Sequence, residues 1–257
     1  MTGLALGIAV AATLLFLPTA IALGVLALLW LAGAWEWAGL ARCGTAARWV
    51  YVGVFLLLML TAGRLPVRID FLLAVALAVW CVAFLGVLTY PRRIPLPWVL
   101  VAGPVALLPS WLILKLMHAA QPRGPELTLL ALALVWAADV GAFAAGRLLG
   151  RVKLAPKVSP GKTWEGVGGG LMLALVVAYL GASWIDLSPW PIVAVASCTA
   201  LVSVVGDLTV SMLKRNVGLK DTGHLLPGHG GVLDRIDGLI AAVPMYAVGL
   251  RIAGVLG

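Results

Sequence analysis

Ser211, Lys214, Arg215, Lys220, Asp221, His224, His229, Asp234, Arg235 and Asp237 all fall within 27 consecutive residues, interleaved with Gly228, Gly230 and Gly231. Asp207 precedes them at the end of an apolar run. On a helix, Asp207, Ser211 and Lys214 or Arg215 recur at i, i+4 and i+7 or i+8, so one face carries a carboxylate, a hydroxyl and a cation. Asp234 and Asp237 lie three apart and share a face in the same way. Three carboxylates without a thiolate or imidazole cluster make a hard oxygen site, which suits magnesium together with waters and phosphates. Lys214, Arg215, Lys220 and Arg235 need anions to share a low-dielectric pocket, and phosphate groups would balance them. The glycines let backbone NH groups approach an anion closely. The chemistry indicated is phosphoryl or nucleotidyl transfer. His224 and His229 have few nitrogen or sulfur partners for a metal, so His229 is read as hydrogen bonding to phosphate or to a carboxylate.

A second polar segment runs from Asp139 through Arg147, Lys153, Lys157, Ser159, Lys162 and Thr163 to Glu165. Gly161-Lys162-Thr163 invites a P-loop reading. Pro156 stands where that motif needs its first glycine, and no strand is expected ahead of it, so the reading fails. A cationic loop with Ser159, Lys162 and Thr163 entering a helix can still hold phosphate at the helix N-terminus. Gly166 and Gly170 form a GxxxG, expected to serve close helix packing.

The elements that must position these groups are apolar. Of the 257 residues 63% are hydrophobic and 11% charged, and the mean hydropathy is +1.09. A soluble domain carries about 25% charged residues, so this chain has too little polar surface for a globule in water. In hydrocarbon each backbone polar group must be paired within its own segment or barrel, and long unbroken apolar runs select helices. About nine such runs are read, at 3–17, 19–40, 49–63, 70–89, 95–117, 126–147, 166–185, 190–213 and 236–255, with prolines such as Pro18, Pro66, Pro91, Pro95 and Pro189 at the joints. The first lacks a basic start and an A-x-A-like cleavage site and is read as a retained span. The expected fold is therefore all-α, a polytopic integral membrane protein with about nine transmembrane helices.

With nine spans, alternate loops share a side. One set carries thirteen Lys and Arg, including Arg42, Arg92, Arg147, Lys162 and Lys214. The other carries four: Arg64, Arg68, Lys115 and Arg123. The bias places the first set in the cytoplasm. It also accounts for the net charge of +8 without a nucleic-acid partner. Cys43, Cys81 and Cys198 show no metal or disulfide spacing and are expected in the core. The eleven tryptophans read as interfacial and packing residues. Before residue 139 the acids are Glu36, Asp70 and Glu126. From there to residue 237 there are seven. Residues 1–135 are thus expected to be scaffold, and 136–257 the catalytic region around a polar cavity.

The run from Ser211 to Asp237 resembles the signature of the phosphatidate cytidylyltransferases, also called CDP-diacylglycerol synthases, with every specified position filled. Lys153 to Gly166 and Asp139 resemble the upstream block of that family, and Ala34-Trp35-Glu36-Trp37 the second span of its bacterial members. The resemblance implies conversion of CTP and phosphatidic acid to CDP-diacylglycerol and pyrophosphate at the bacterial inner membrane, with the site facing the cytoplasm among membrane lipids. It implies Asp207, Asp234 and Asp237 as carboxylates of a di-metal site, where magnesium is one ion and the second need not match it. Lys214 and Arg215 would meet phosphate. Ser159, Lys162, Thr163, Ser211, Lys220, His229 and Arg235 complete the expected substrate contacts, and a homodimer is compatible with it. A related CTP-dependent lipid or polyprenol kinase is the alternative. An ion transporter using Asp139 and Asp207 is a third reading, opposed by the lack of internal symmetry.

Overall fold

Each of the nine apolar runs forms a helix in the computed structural model, which describes residues 2–65, 68–223 and 230–256. In chain order these are α1 (Thr2–Phe16), α2 (Thr19–Leu40), α3 (Thr45–Ala62), α4 (Ile69–Thr89), α5 (Leu96–Ala119), α6 (Gly124–Leu149), α7 (Trp164–Trp184), α8 (Pro189–Asn216) and α9 (Leu233–Ile252). Seven of them, α2 to α8, are long and apolar enough to cross a bilayer. The protein is an integral membrane protein built from helices.

The all-α expectation needs one amendment. Between α6 and α7 the chain forms a short antiparallel hairpin of β1 (Lys153–Ala155) and β2 (Ser159–Thr163). Here the polar run is too short in apolar residues to bury a helix face, and Pro156 and Pro160 oppose a helix. Gly161, Lys162 and Thr163 therefore lie along a strand, not in a phosphate-wrapping loop. A strand does precede them, contrary to expectation, although the spacing argument against a P-loop stands.

The loops sort into two ends, as the alternation of cations requires. At one end Arg42 donates to the Val217 carbonyl, Asn216 exchanges hydrogen bonds with the Ile94 backbone, and Arg215 donates to the Val158 carbonyl. At the other, Lys115 donates to the Gly63 carbonyl at the end of α3, Arg123 to the Asp186 carbonyl, and Arg251 pairs with Asp70.

Packing in the first half solves a hydrogen-bonding problem. Pro104 inside α5 has no NH, so the Leu100 carbonyl loses its helical donor. The Tyr51 hydroxyl of α3 donates to that carbonyl at 2.9 Å. Trp37 of α2 donates to the Val99 carbonyl at 2.8 Å, and Trp30 to the Leu107 carbonyl and Ser110 hydroxyl, each at 3.0 Å. Trp30, Trp37 and Trp111 are buried; in these three the packing role prevails over the interfacial one. An indole NH in hydrocarbon needs a partner, and α5 supplies it. Gly103 makes room, since a side chain there would collide with Tyr51 and Trp37. Conversely, Cys81 and Cys198 are exposed on outer helix faces, and Cys43 is half-buried. The expected core cysteines are not in the core, because a thiol is apolar enough to face lipid.

In the second half α6, α7, α8 and α9 pack consecutively. The α6–α7 contact is backbone on backbone: a side chain at Gly170 would strike the Ala138 carbonyl, and one at Gly166 the Ala142 carbonyl. The GxxxG pair thus serves close packing as expected.

Candidate active site

Four helices and the hairpin enclose a pocket of about 570 Å³. That is within the size range of small-molecule sites, roughly 300–1,000 Å³. α6 supplies Asp139, Phe143 and Arg147 on one helical face. α7 supplies Gly166, Val167, Gly170 and Leu171. α8 supplies Leu201, Ser203, Val204 and Asp207, and α9 supplies Asp234, Arg235 and Asp237. Ser159, Lys162 and Thr163 of β2 form one wall. Every described residue lining this pocket lies between 138 and 237.

The hairpin is held where its cation is useful. Thr163 caps α7, its hydroxyl accepting the Gly166 amide at 3.1 Å. Glu165 in the first turn accepts the Val152 amide, which ties the start of the hairpin to the helix. Lys162 then projects into the pocket and forms an ion pair with Asp207. Ser211 donates to the other oxygen of Asp207 at 3.2 Å, so the face expected from their i, i+4 spacing exists. Asp237 is buried, and its Oδ1 accepts the Gly238 amide at 2.7 Å. Asp139, Asp207 and Asp237 therefore approach one cavity from three different helices. Three carboxylates in such a place repel one another unless cations stand among them.

Asp234 is differently placed. It lines the rim, but both oxygens are engaged. Oδ1 accepts Lys214 Nζ at 2.7 Å. Oδ2 accepts the Thr222 amide at 3.0 Å and the Gly231 amide at 3.2 Å, and lies 3.0 Å from the Thr222 hydroxyl oxygen. Burial works against its charge, and the Lys214 ammonium and the amide donors compensate for it. Lys214 is thus turned to Asp234 rather than into the cavity. Arg215 donates to the Val158 and Leu219 carbonyls and braces the hairpin turn against the end of α8. Lys220 is exposed on the following loop, away from the lining. Arg235 is on the pocket rim. His224 and His229 lie outside the described residues.

Among the described residues, no three His, Cys, Asp or Glu side chains form a ready-made metal cage. The donor chemistry nonetheless fits magnesium, which takes one or two carboxylates and completes its shell with waters and phosphates. Asp207 and Asp237 meet that requirement.

Two residues gain importance that local pattern did not reveal. Asp139, in the sequence the start of the second polar segment and part of the family's upstream block, faces the cavity. Glu36 of α2, which the sequence presents as one of three early acids and within a family likeness, is 1% exposed. Its oxygens accept the Thr222 hydroxyl at 2.9 Å, the Val232 amide at 3.1 Å and the Leu233 amide at 2.8 Å. An acid buried within a membrane helix is the signal that could have found it.

The fold and pocket define a class: a helical integral membrane protein with acids and bases gathered in a cavity of its C-terminal half. The profile of the cytidylyltransferase family matches residues 1–253. The phosphatidate cytidylyltransferase of Pseudomonas aeruginosa is 41% identical over 244 residues, covering 86% of this chain and 84% of that protein. That of Haemophilus influenzae is 41% identical over 266 residues, covering 92% and 91%. That of Brucella suis is 44% identical over 137 residues, about half of each chain. The chain belongs to the cytidylyltransferase family.

Proposed function

We propose that this protein transfers CMP from CTP to phosphatidate, forming CDP-diacylglycerol and pyrophosphate. The family match along the whole chain supports it. The observation that carries it in the structure is a cavity among membrane helices where Lys162, Arg147 and Arg235 stand with Asp139, Asp207 and Asp237.

A phosphate monoester is largely dianionic near neutral pH, its second pKa being about 6, so it needs little help to act as nucleophile. One of its oxygens bonds to the α-phosphorus of CTP. The bond from that phosphorus to the α,β-bridging oxygen breaks, and pyrophosphate leaves with the electron pair. The protein's task is to hold two polyanions in line and to stabilise charge on the transferring group. Lys162 and Arg235 neutralise phosphate oxygens, and Ser159 and Thr163 orient them. Ser211 fixes the Asp207 carboxylate. Arg215 acts through the hairpin it braces. Magnesium would be held by Asp207 and Asp237 and would supply charge neutralisation at the phosphates. Asp234 would join them only by exchanging the Lys214 ammonium for the cation, which would free Lys214 for substrate.

The same reading has all nine helices crossing the bacterial inner membrane, with the end that carries Arg42, Arg92 and Lys214 in the cytoplasm and the cavity opening there to CTP. Residues 1–135 chiefly support the catalytic region 136–257. Purified protein in detergent, given CTP, phosphatidate and magnesium, should release pyrophosphate in step with a CMP-bearing lipid. A product carrying only the γ-phosphate would identify a kinase and overturn the proposal.

A further inference from the structure

Glu36 stands outside the pocket, in the half of the chain from which no described residue lines it, yet it is the residue on which the start of α9 is built. A carboxylate in the apolar interior is expensive unless it is fully hydrogen-bonded. Here two of the three donors come from one place. Val232 and Leu233 are the residues at which α9 begins, and their amides are among those a helix leaves without internal acceptors. Both donate to Glu36. The negative charge also faces the positive end of the helix dipole.

The contact extends to the site. The Thr222 hydroxyl lies 2.9 Å from Glu36 Oε2 and 3.0 Å from Asp234 Oδ2, and Asp234 in turn meets Lys214. Glu36, Thr222, Asp234 and Lys214 form one continuous polar chain from α2 through the loop to α9 and α8. The loop is fitted around the Glu36 side chain: a side chain at Gly223 or at Gly231 would collide with it. Thus two glycines of the loop keep the distance to α2 short.

We infer that Glu36 is a positioning residue for the transfer reaction. It fixes the height and rotation of the first turn of α9, and with them Asp234 and Asp237. It touches neither the cavity nor, on the function proposed above, the substrates. The inference rests on that function for its kinetic consequence, but not for its structural one.

The test uses full-length protein in detergent or nanodiscs and the variant Glu36→Gln, which keeps the shape but puts an NH2 group where donors converge. Hydrogen exchange of the amides of Val232 and Leu233 should accelerate at least ~10-fold as their acceptor weakens, while exchange in α5 and α7 stays as in wild type. Turnover should fall ~10- to 100-fold, the scale set by a displacement of about 1 Å at a reacting centre, with KM for CTP little changed. Glu36→Asp should recover part of the turnover. Should Glu36→Gln fail to accumulate, Gly231→Ala crowds the same contact from the loop side and carries the same readouts. Unchanged exchange at Val232 and Leu233 overturns the contact itself. Accelerated exchange with wild-type turnover overturns the positioning role. Wild-type protein that makes no CDP-lipid would refute the proposed reaction instead, and the exchange result would still decide the contact.

Discussion

Lys214 Nζ lies 2.7 Å from Asp234 Oδ1, joining the last turn of α8 to the first turn of α9. Their side chains are 12% and 13% exposed, so the pair is poorly screened by solvent. Removing one partner of a buried pair strands the other charge, an effect larger than the ~0–1 kcal/mol of exposed pairs. Lys214→Ala and Asp234→Asn should each destabilise the protein by about 1–3 kcal/mol. The double variant should be little worse than either single one. A double-mutant cycle on unfolding in detergent would measure the coupling, and strictly additive losses would contradict the pairing.

Asp237→Asn should abolish pyrophosphate release, by ~100-fold or more if it stabilises charge in the transition state, while thermal unfolding is unchanged or slightly improved. The variant relieves repulsion among Asp139, Asp207 and Asp237, which share the pocket. An active Asp237→Asn enzyme would remove this carboxylate from the chemistry.

Thr163→Ala should lower stability by about 1 kcal/mol through loss of the α7 cap. Thr163→Ser should keep the cap, because the hydroxyl accepting from Gly166 remains. Because the capped turn also presents Lys162, Thr163→Ala is expected to raise KM for CTP as well. Thermal unfolding and initial rates measured on the same preparations separate the two effects.

Gly170→Val should disrupt the contact of α6 with α7. The added Cβ would stand 2.5 Å from the Ala138 carbonyl oxygen, closer than real contacts allow. Overpacking costs typically about 1–3 kcal/mol, and backbone on backbone leaves little to yield. Gly168→Val, on the open face of the same helix where nothing lies within 4 Å, is the control. Equal stability of the two variants would contradict the assigned packing.

What could be read from residue order alone was local. The nine apolar runs correspond to the nine helices because period and proline punctuation act within a segment. Asp207 and Ser211 meet because four residues on a helix fix their separation. Lys214 is expected to meet phosphate, and its ion pair with Asp234, 20 residues on and on the next helix, is a contact that spacing along one helix does not fix. Glu36 and Leu233 are 197 residues apart, and no periodicity connects them. Hairpin 153–163 is not legible in the sequence because its polar residues show no alternation strong enough to mark strands.

The contact between α8 and α9 limits how the cavity can change shape. Gly206 receives the backbone of Asp237, and Gly249 receives Val195, so each helix carries one notch for the other, and the two lie at well-separated levels. Sliding α9 by one turn, about 5.4 Å, would bring both notches against side chains at once. α9 therefore cannot work as a piston. The wall formed by α8 and α9 is thus fixed in register, and it keeps Asp207 and Asp237 at a set separation across the cavity.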